Sequence, residues 1–334
     1  MNECSTCVSA SQIPRAVAAQ GQGLPMDSVF AWVQGLGSSE LKVHEVDDES
    51  AKCRIKIVPA LSDNYMYLAV NVETREAVAV DPVEPQKILE LCKSLEVRLV
   101  AVLTTHYHSD HSGGNKALSE MVPELEVVAG ELDADRTPAV TRRVKDGETC
   151  SFAGLPFRCL ATPCHTVGHV SFVLEQDPPS LFCGDTLFVA GCGRFMEGSA
   201  ATMHQSLQAL VQLPKKTRVF CGHEYTVPNL EYALSLEPGS AVLRGRLEAA
   251  KERRKAKEPT VPSTLEEELQ QNPFLRCHEP QLARAVGLEA SDVTEVLGKL
   301  RRGKDTFTTV GSIITLALDV KSYFKPVETP EISV

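Results

Sequence analysis

Short apolar runs alternate with amphipathic stretches over the first two thirds of the chain. In residues 85–95, Ile88, Leu91 and Leu95 fall on one stripe, as in a helix with one buried face. Strands are predicted from apolar runs at residues 54–58, 66–72, 77–80, 99–103, 157–161, 180–183 and 218–221. The pattern predicts an α/β fold in which strands are sandwiched between helices.

The pattern changes near residue 227, where helical periodicity takes over. Residues 229–236 and 243–257 predict two helices, and Ser263 followed by Glu266 has the spacing of a capping box for a third. We therefore predict four segments. They are an N-terminal extension (1–50), a catalytic domain (51–226), a smaller helical domain (227–307) and a C-terminal extension (308–334).

Ligand-type side chains follow four of the predicted strands. The run at 99–103 leads into an H-x-H-x-D-H string, His106 to His111. Residues two apart in an extended segment point the same way, so His106 and His108 can bind one ion. Asp110 and His111 lie past a bend and can face a second ion. A polar loop with hydrogen-bonded histidines is the alternative for a lone H-x-H, but the full string favours metal.

The other three strands end in the same manner. His165, Asp185 and His223 follow the runs at 157–161, 180–183 and 218–221, and His169 lies four residues beyond His165. In α/β folds, sites gather at the carboxyl ends of strands. Imidazole and carboxylate together suit zinc, iron or manganese.

These motifs resemble those of the metallo-β-lactamase superfamily. The similarity lies in residues 105–111, 164–169, 184–185 and 222–225. Further segments resemble the glyoxalase II (hydroxyacylglutathione hydrolase) family: residues 59–65, 188–195, 262–267, 272–276 and 301–307. The resemblance implies a four-layer αββα sandwich followed by a smaller C-terminal helical domain.

The resemblance also implies two divalent metal ions, with zinc preferred and iron or manganese as alternatives. The first ion would be held by His106, His108 and His165, and the second by Asp110, His111 and His223, with Asp185 bridging them. A metal-bridging hydroxide would then hydrolyse the thioester of S-2-hydroxyacylglutathione, above all S-D-lactoylglutathione, to D-lactate and glutathione. This is the second step of methylglyoxal detoxification. Metal binding can lower the pKa of water from about 15.7 to about 7. Asp110 could also orient or deprotonate the attacking water.

Four residues match positions that contact glutathione in this family: Arg194, Tyr225, Arg301 and Lys304. His169 is expected to support the ligands rather than to bind metal. Two residues depart from the family pattern. Met196 stands where tyrosine is common and offers only a weak acceptor, and Gly303 is small for its place between cations.

The composition limits which partners and which cellular compartment are expected for this protein. The 334 residues carry 34 Lys plus Arg against 44 Asp plus Glu, so a nucleic-acid partner is not expected. No apolar run reaches the roughly 18 residues that span a bilayer. Eleven cysteines without a framework spacing favour a reducing compartment. We expect a cytoplasmic monomer, with a mitochondrial location as the alternative, because Arg15 alone is thin evidence for a transit peptide.

Two other functions fit part of the pattern. A mononuclear iron dioxygenase acting on glutathione persulfide resembles the same H-x-H-x-D-H string but generally lacks a helical C-terminal domain. A non-catalytic paralogue could keep the fold as a binding scaffold, although a scaffold has no need of seven ligand residues as a set.

Overall fold

The computed structural model describes residues 43–46, 52–289 and 292–307. Most of the predicted N-terminal extension and all of the predicted C-terminal extension lie outside the described residues. One part of the N-terminal extension is described: His44–Glu45 forms an edge strand, β1.

The first sheet of the described chain keeps its strands in sequence order. Neighbours from β1 to β4 are antiparallel, and those from β4 to β7 are parallel. The strands that follow β1 are β2 Cys53–Ala60, β3 Asn64–Asn71, β4 Glu76–Val80, β5 Arg98–Thr104, β6 Glu126–Gly130 and β7 Arg142–Val144. Every residue of β3 is buried, as in a strand covered on both faces.

The second sheet has the order β15-β14-β11-β10-β9-β8, in which only the β11–β14 pair is parallel among the strands described. Its strands are β8 Thr149–Phe152, β9 Leu155–Ala161, β10 Val170–Leu174, β11 Ser180–Gly184, β14 Arg218–Cys221 and β15 Ser263–Thr264. A short hairpin, β12 Leu187–Phe188 with β13 Gly191–Cys192, follows β11.

The two sheets bury their inner faces against each other. The ring of Tyr67 on β3 lies 5.4 Å from both Phe182 on β11 and Phe220 on β14, measured between ring centroids. Ile55 and Phe172 belong to the same buried cluster. These large side chains fill the middle of the sandwich and hold the two sheets in a fixed relation, which in turn fixes the loops at their shared edge.

Helices cover the outer faces of the sandwich and form the C-terminal region. They are α1 Pro85–Ser94, α2 Ser109–Ser112, α3 Asn115–Met121, α4 Ala200–Val211, α5 Thr226–Leu236, α6 Ala241–Lys255, α7 Leu265–Gln271, α8 Pro280–Ala285 and α9 Val293–Thr306. Helix α4 buries Met203, Leu207 and Leu210 in the main core. The four-layer αββα sandwich with C-terminal helices is therefore confirmed.

One local prediction needs correction in the helical region. The cap of α7 is Thr264 with Glu267, one residue later than the predicted pair of Ser263 and Glu266. Ser263 instead belongs to β15, which pairs with β14 of the second sheet. The C-terminal region thus contributes a strand to the second sheet, which helical periodicity could not reveal.

Among the described residues, no helix combines the length and the apolar character that a bilayer crossing requires.

Candidate metal centre and adjoining cavity

The ligand-type residues meet where the carboxyl ends of strands from both sheets converge. The loop from His106 to His111 follows β5 of the first sheet, and His165, Asp185 and His223 follow β9, β11 and β14 of the second. A backbone hydrogen bond from Tyr65 N to Gly222 O, 2.8 Å long, joins the two sheets beside this point. The sandwich therefore brings four loops, distant in sequence, to one place.

His106, His108 and His165 form the first cluster. Nδ1 of His108 lies 3.0 Å from Nε2 of His106 and 3.0 Å from Nε2 of His165. Burial lowers the pKa of His106 well below its ordinary value and also lowers that of His108. The imidazoles of His106 and His108 are therefore neutral near pH 7, which is the form that binds metal.

Asp110, His111 and His223 form the second cluster. Nε2 of His111 lies 3.2 Å from Nε2 of His223, and Oδ2 of Asp110 lies 3.5 Å and 3.4 Å from those two atoms. Asp185 lies between the clusters, with its Oδ2 3.4 Å from Nε2 of both His165 and His223. All seven predicted ligand residues thus lie together.

Charge differs between the two clusters. Burial lowers the pKa of His223, but Asp185 and Asp110 outweigh it and raise that pKa to about 11. Burial also lowers the pKa of His111, but Asp185 and Asp81 outweigh this effect and raise that pKa above its ordinary value. A cation entering the second cluster must therefore displace protons from these two imidazoles.

The donor set fits divalent metal. Facing imidazole nitrogens at about 3 Å repel one another unless a proton or a cation lies between them. Oδ1 of Asp185 is buried without a hydrogen bond, 3.4 Å from Nε2 of His111, and its carboxylate is ionised because the surrounding histidines lower its pKa against the effect of burial. Such a buried anion needs a positive partner. Protonated His111 can be that partner, a cation can take its place, and nitrogen plus carboxylate oxygen is a donor set for divalent transition metals.

Two carboxylates that were not predicted from the sequence as site residues orient the histidines of the second cluster. Asp81 lies 3.0 Å from Nδ1 of His111, and Asp63 lies 2.7 Å from Nδ1 of His223. Each contact directs the Nε2 lone pair towards the cluster. Asp81 could have been found, because it follows the apolar run at 77–80 just as the ligand residues follow theirs.

His169 lies behind the seven ligand-type residues and belongs to neither cluster. Its Nε2 accepts a hydrogen bond of 3.2 Å from the backbone N–H of Asp185, and its Nδ1 lies 2.9 Å from the hydroxyl of Thr162. Burial lowers its pKa well below the ordinary value, so the ring is neutral and can accept. This side chain holds the backbone of Asp185 in place.

A cavity of about 700 Å³ adjoins the clusters. Ligand-type residues, including His108 and Asp185, form one side of it, and helix α9 forms another. All four residues predicted to contact glutathione line this same cavity: Arg194, Tyr225, Arg301 and Lys304. The ring of Tyr225 stacks on that of His223 at 4.7 Å. The cavity therefore has the ligand-type residues at one end and the cationic side chains at the other.

The cations differ in how firmly they are held. Arg301 is buried and donates to Cys192 O at 2.6 Å and to Asp305 at 3.1 Å, whereas Arg194 is exposed and lies 3.4 Å from the same carboxylate. Lys304 donates to Pro228 O at 2.8 Å. Burial and the nearby Arg301 lower its pKa to about 8.

The structure also places the two departures from the family pattern. Met196 lines the cavity with an exposed side chain. Gly303 lies against Tyr232: a Cβ at this position would be 2.5 Å from the tyrosine hydroxyl, which itself donates to Leu300 O at 2.7 Å. This close approach gives a packing reason for a residue without a side chain at position 303.

Comparison with known sequences and structures identifies the fold class of this protein. The sequence model of the metallo-β-lactamase superfamily matches residues 93–223. Among solved structures, ETHE1 from Myxococcus xanthus superposes with a TM-score of 0.53 at 24% identity, covering 84% of this chain and 97% of that one. The protein therefore has the metallo-β-lactamase fold, with a divalent metal site at the edge of its sandwich.

The remaining matches give the family. The model described as hydroxyacylglutathione hydrolase C-terminus matches residues 224–307. The Arabidopsis thaliana protein named "Hydroxyacylglutathione hydrolase cytoplasmic" is 43% identical over 253 residues, 74% of this chain and 96% of that protein. "Hydroxyacylglutathione hydrolase" of Synechococcus sp. is 44% identical over 254 residues, 76% of this chain and all of that protein. The chain belongs to the hydroxyacylglutathione hydrolase family.

Proposed function

We propose that this protein hydrolyses the thioester of S-2-hydroxyacylglutathione, with S-D-lactoylglutathione as the principal substrate, to a 2-hydroxy acid and glutathione. One observation carries the proposal: a single cavity is bordered by the His/Asp clusters on one side and by Arg301 and Lys304 on another. A glutathione thioester needs a metal-type site for its reacting carbonyl and separate cations for its carboxylates, because these groups lie at a distance from one another. Relatives named for this activity support the same conclusion.

The proposed centre holds two divalent ions, with zinc preferred over iron and manganese. His106, His108 and His165 would bind one ion and Asp110, His111 and His223 the other, with Asp185 shared between them. Bound there, the ions would lower the pKa of water and polarise the thioester carbonyl. Hydrolysis needs little help for the leaving group, since a thiol with a pKa near 8.5 departs readily as thiolate.

The protein's own residues then bind and orient the reactants. Lys304 and Arg301 attract the substrate's carboxylates locally, against a net protein charge of −10. Asp110 is half-exposed at the cavity and is fixed by Asn64, whose amide donates to its carboxylate at 3.0 Å. The hydrogen bond from His223 holds the pKa of Asp110 well below its usual range. Asp110 is therefore ionised and can accept a hydrogen bond from the attacking water.

The remaining assignments follow from this function. Residues 51–226 would carry the catalytic centre and residues 227–307 the glutathione contacts, in a cytoplasmic monomer. A cytoplasmic setting agrees with nine free, buried cysteines among the described residues.

The test is steady-state hydrolysis of S-D-lactoylglutathione by purified protein, with metal content measured on the same sample. We expect turnover with about two metals per chain. Two bound metals without turnover would refute the substrate assignment and favour a scaffold. A single iron with oxygen consumption on glutathione persulfide would favour the dioxygenase instead.

A further inference from the structure

Four side chains outside both clusters connect the loops that carry the first-cluster histidines. We call Tyr107, Asp133, Arg136 and Glu197 the loop clasp. Tyr107 lies between His106 and His108, Asp133 and Arg136 follow β6, and Glu197 follows Met196 at the cavity. The clasp therefore draws on three separate stretches of chain.

Glu197 is the centre of the clasp. Its carboxylate accepts hydrogen bonds from Tyr107 Oη at 2.8 Å, from Arg136 Nη1 at 2.6 Å and from the backbone N–H of Val167 at 2.7 Å. Its own backbone N–H donates to Cys164 O at 3.0 Å. Glu197 thus holds the chain on both sides of His165 and, through Tyr107, the chain between the other two histidines.

Asp133 completes the attachment from the buried side. Its carboxylate accepts from Arg136 Nη2 at 2.7 Å, from the backbone N–H of Gly168 at 3.0 Å and from the Thr166 hydroxyl at 2.5 Å. A Cβ on Gly168 would lie 2.2 Å from Asp133 N, so only glycine allows this approach. The guanidinium of Arg136 also lies 3.9 Å from the centre of the Tyr107 ring.

The clasp compensates for a difference between the two clusters. In the second, carboxylates orient the histidines directly, through Asp81 and Asp63. In the first, Nδ1 of His106 lies 3.0 Å from the Thr105 hydroxyl and Nδ1 of His165 lies 3.2 Å from Arg194 O. These contacts are neutral, so the geometry of the first cluster depends more on where the loops themselves are held.

We propose that Arg136 and Glu197 are positioning residues for the first metal site. The inference rests on the ligand assignment proposed above. Losing the clasp would free the loops of His106, His108 and His165 to separate, while the second cluster keeps its own carboxylate partners. The expected effect is therefore selective for one of two metals.

The test is titration of metal-free protein with Zn²⁺ against a chromophoric chelator, comparing wild type with Glu197→Gln. The amide keeps the shape of the side chain but loses the charge that pairs with Arg136. Its NH₂ group would also face one of the hydrogen-bond donors that the carboxylate now accepts from. We expect one of the two binding constants to fall by about 10- to 100-fold, the range for lost supporting contacts to ligands, and the other to stay unchanged. Cobalt absorption spectra of the two proteins would differ for one ion only.

Glu175→Gln is the matched control, because Glu175 forms a comparable pair with Arg158 at 2.8 Å on β9. Tyr107→Phe is a second variant, which removes one hydrogen bond but keeps the ring under Arg136, and it should weaken the same site more mildly. Unchanged affinities in both clasp variants, or an equal loss at both sites, would overturn the inference. A wild-type protein that binds fewer than two metals would instead refute the ligand assignment.

Discussion

Asp81→Asn offers a sharp test of how the second cluster is oriented. Asp81 is buried, and its Oδ1 accepts from the backbone N–H of Thr105 at 2.8 Å. Its Oδ2 lies 2.8 Å from the Thr105 hydroxyl and 3.0 Å from Nδ1 of His111. The residue also has a φ of +49°, which asparagine tolerates, so the substitution changes hydrogen bonding without straining the backbone.

An asparagine here cannot satisfy every partner. With its NH₂ towards Thr105 N–H, two donors face each other, and a buried donor without an acceptor costs about 1–3 kcal/mol. With its NH₂ towards His111, Nδ1 must accept, so the ring proton moves to Nε2 and the lone pair that faces the second cluster is lost. Lost supporting contacts of this kind weaken metal binding by about 10- to 100-fold. That factor corresponds to about 1.4–2.7 kcal/mol.

The assay is Zn²⁺ competition with a chelator, together with urea unfolding of the metal-free protein. Asp146→Asn is the control, because Asp146 also accepts from a backbone N–H, that of Ala161 at 2.8 Å, but on an exposed surface. We expect Asp81→Asn, and not the control, to weaken Zn²⁺ binding, most strongly at the second cluster, because Asp81 contacts His111 directly but reaches His106 only through Thr105. A folded Asp81→Asn protein with both wild-type affinities would refute the account of His111 orientation.

Four further predictions concern the metal centre, the cavity and the chain beside them. Asp185→Asn should lower metal content and turnover together, because its carboxylate lies 3.4 Å from histidines of both clusters, and full retention of two metals would contradict this. Lys304→Ala should raise KM by about 10- to 100-fold with kcat largely kept, since a charge-assisted contact contributes about 1.5–3 kcal/mol to bound substrate and transition state alike. The wild-type KM should itself rise as the pH passes about 8, because the cationic form of Lys304 prevails only below its lowered pKa. Lys304→Arg should remove that rise. A wild-type KM that does not change with pH would count against the assignment. Glu224→Ala should lower the free energy of unfolding by about 1–3 kcal/mol in urea, because it leaves Thr260 N–H and the Tyr65 hydroxyl without their acceptor, whereas the exposed Glu248→Ala should have little effect.

The sequence by itself determined seven of the described strands (β2 to β5, β9, β11 and β14), the grouping of ligand-type residues at the ends of four of them and the change to helices near residue 227. These features are local: a buried strand needs consecutive apolar residues, and a loop that binds metal needs its donors close together in the chain. His106 to His111 and the strand before them could therefore be read directly. The resemblance to the hydroxyacylglutathione hydrolase family, which the comparisons confirm, depended on the same strings.

Only the tertiary structure decided which groups support that core. Asp81 lies 30 residues before His111, and Asp63 lies 160 residues before His223, and each carboxylate meets its histidine because the sheets bring the loops together. The same holds for Glu197 beside Tyr107, for β15 joining β14 and for Gly303 against Tyr232. Such contacts leave no periodic or short-range signal in sequence, since they depend on distances that packing of the whole sandwich sets.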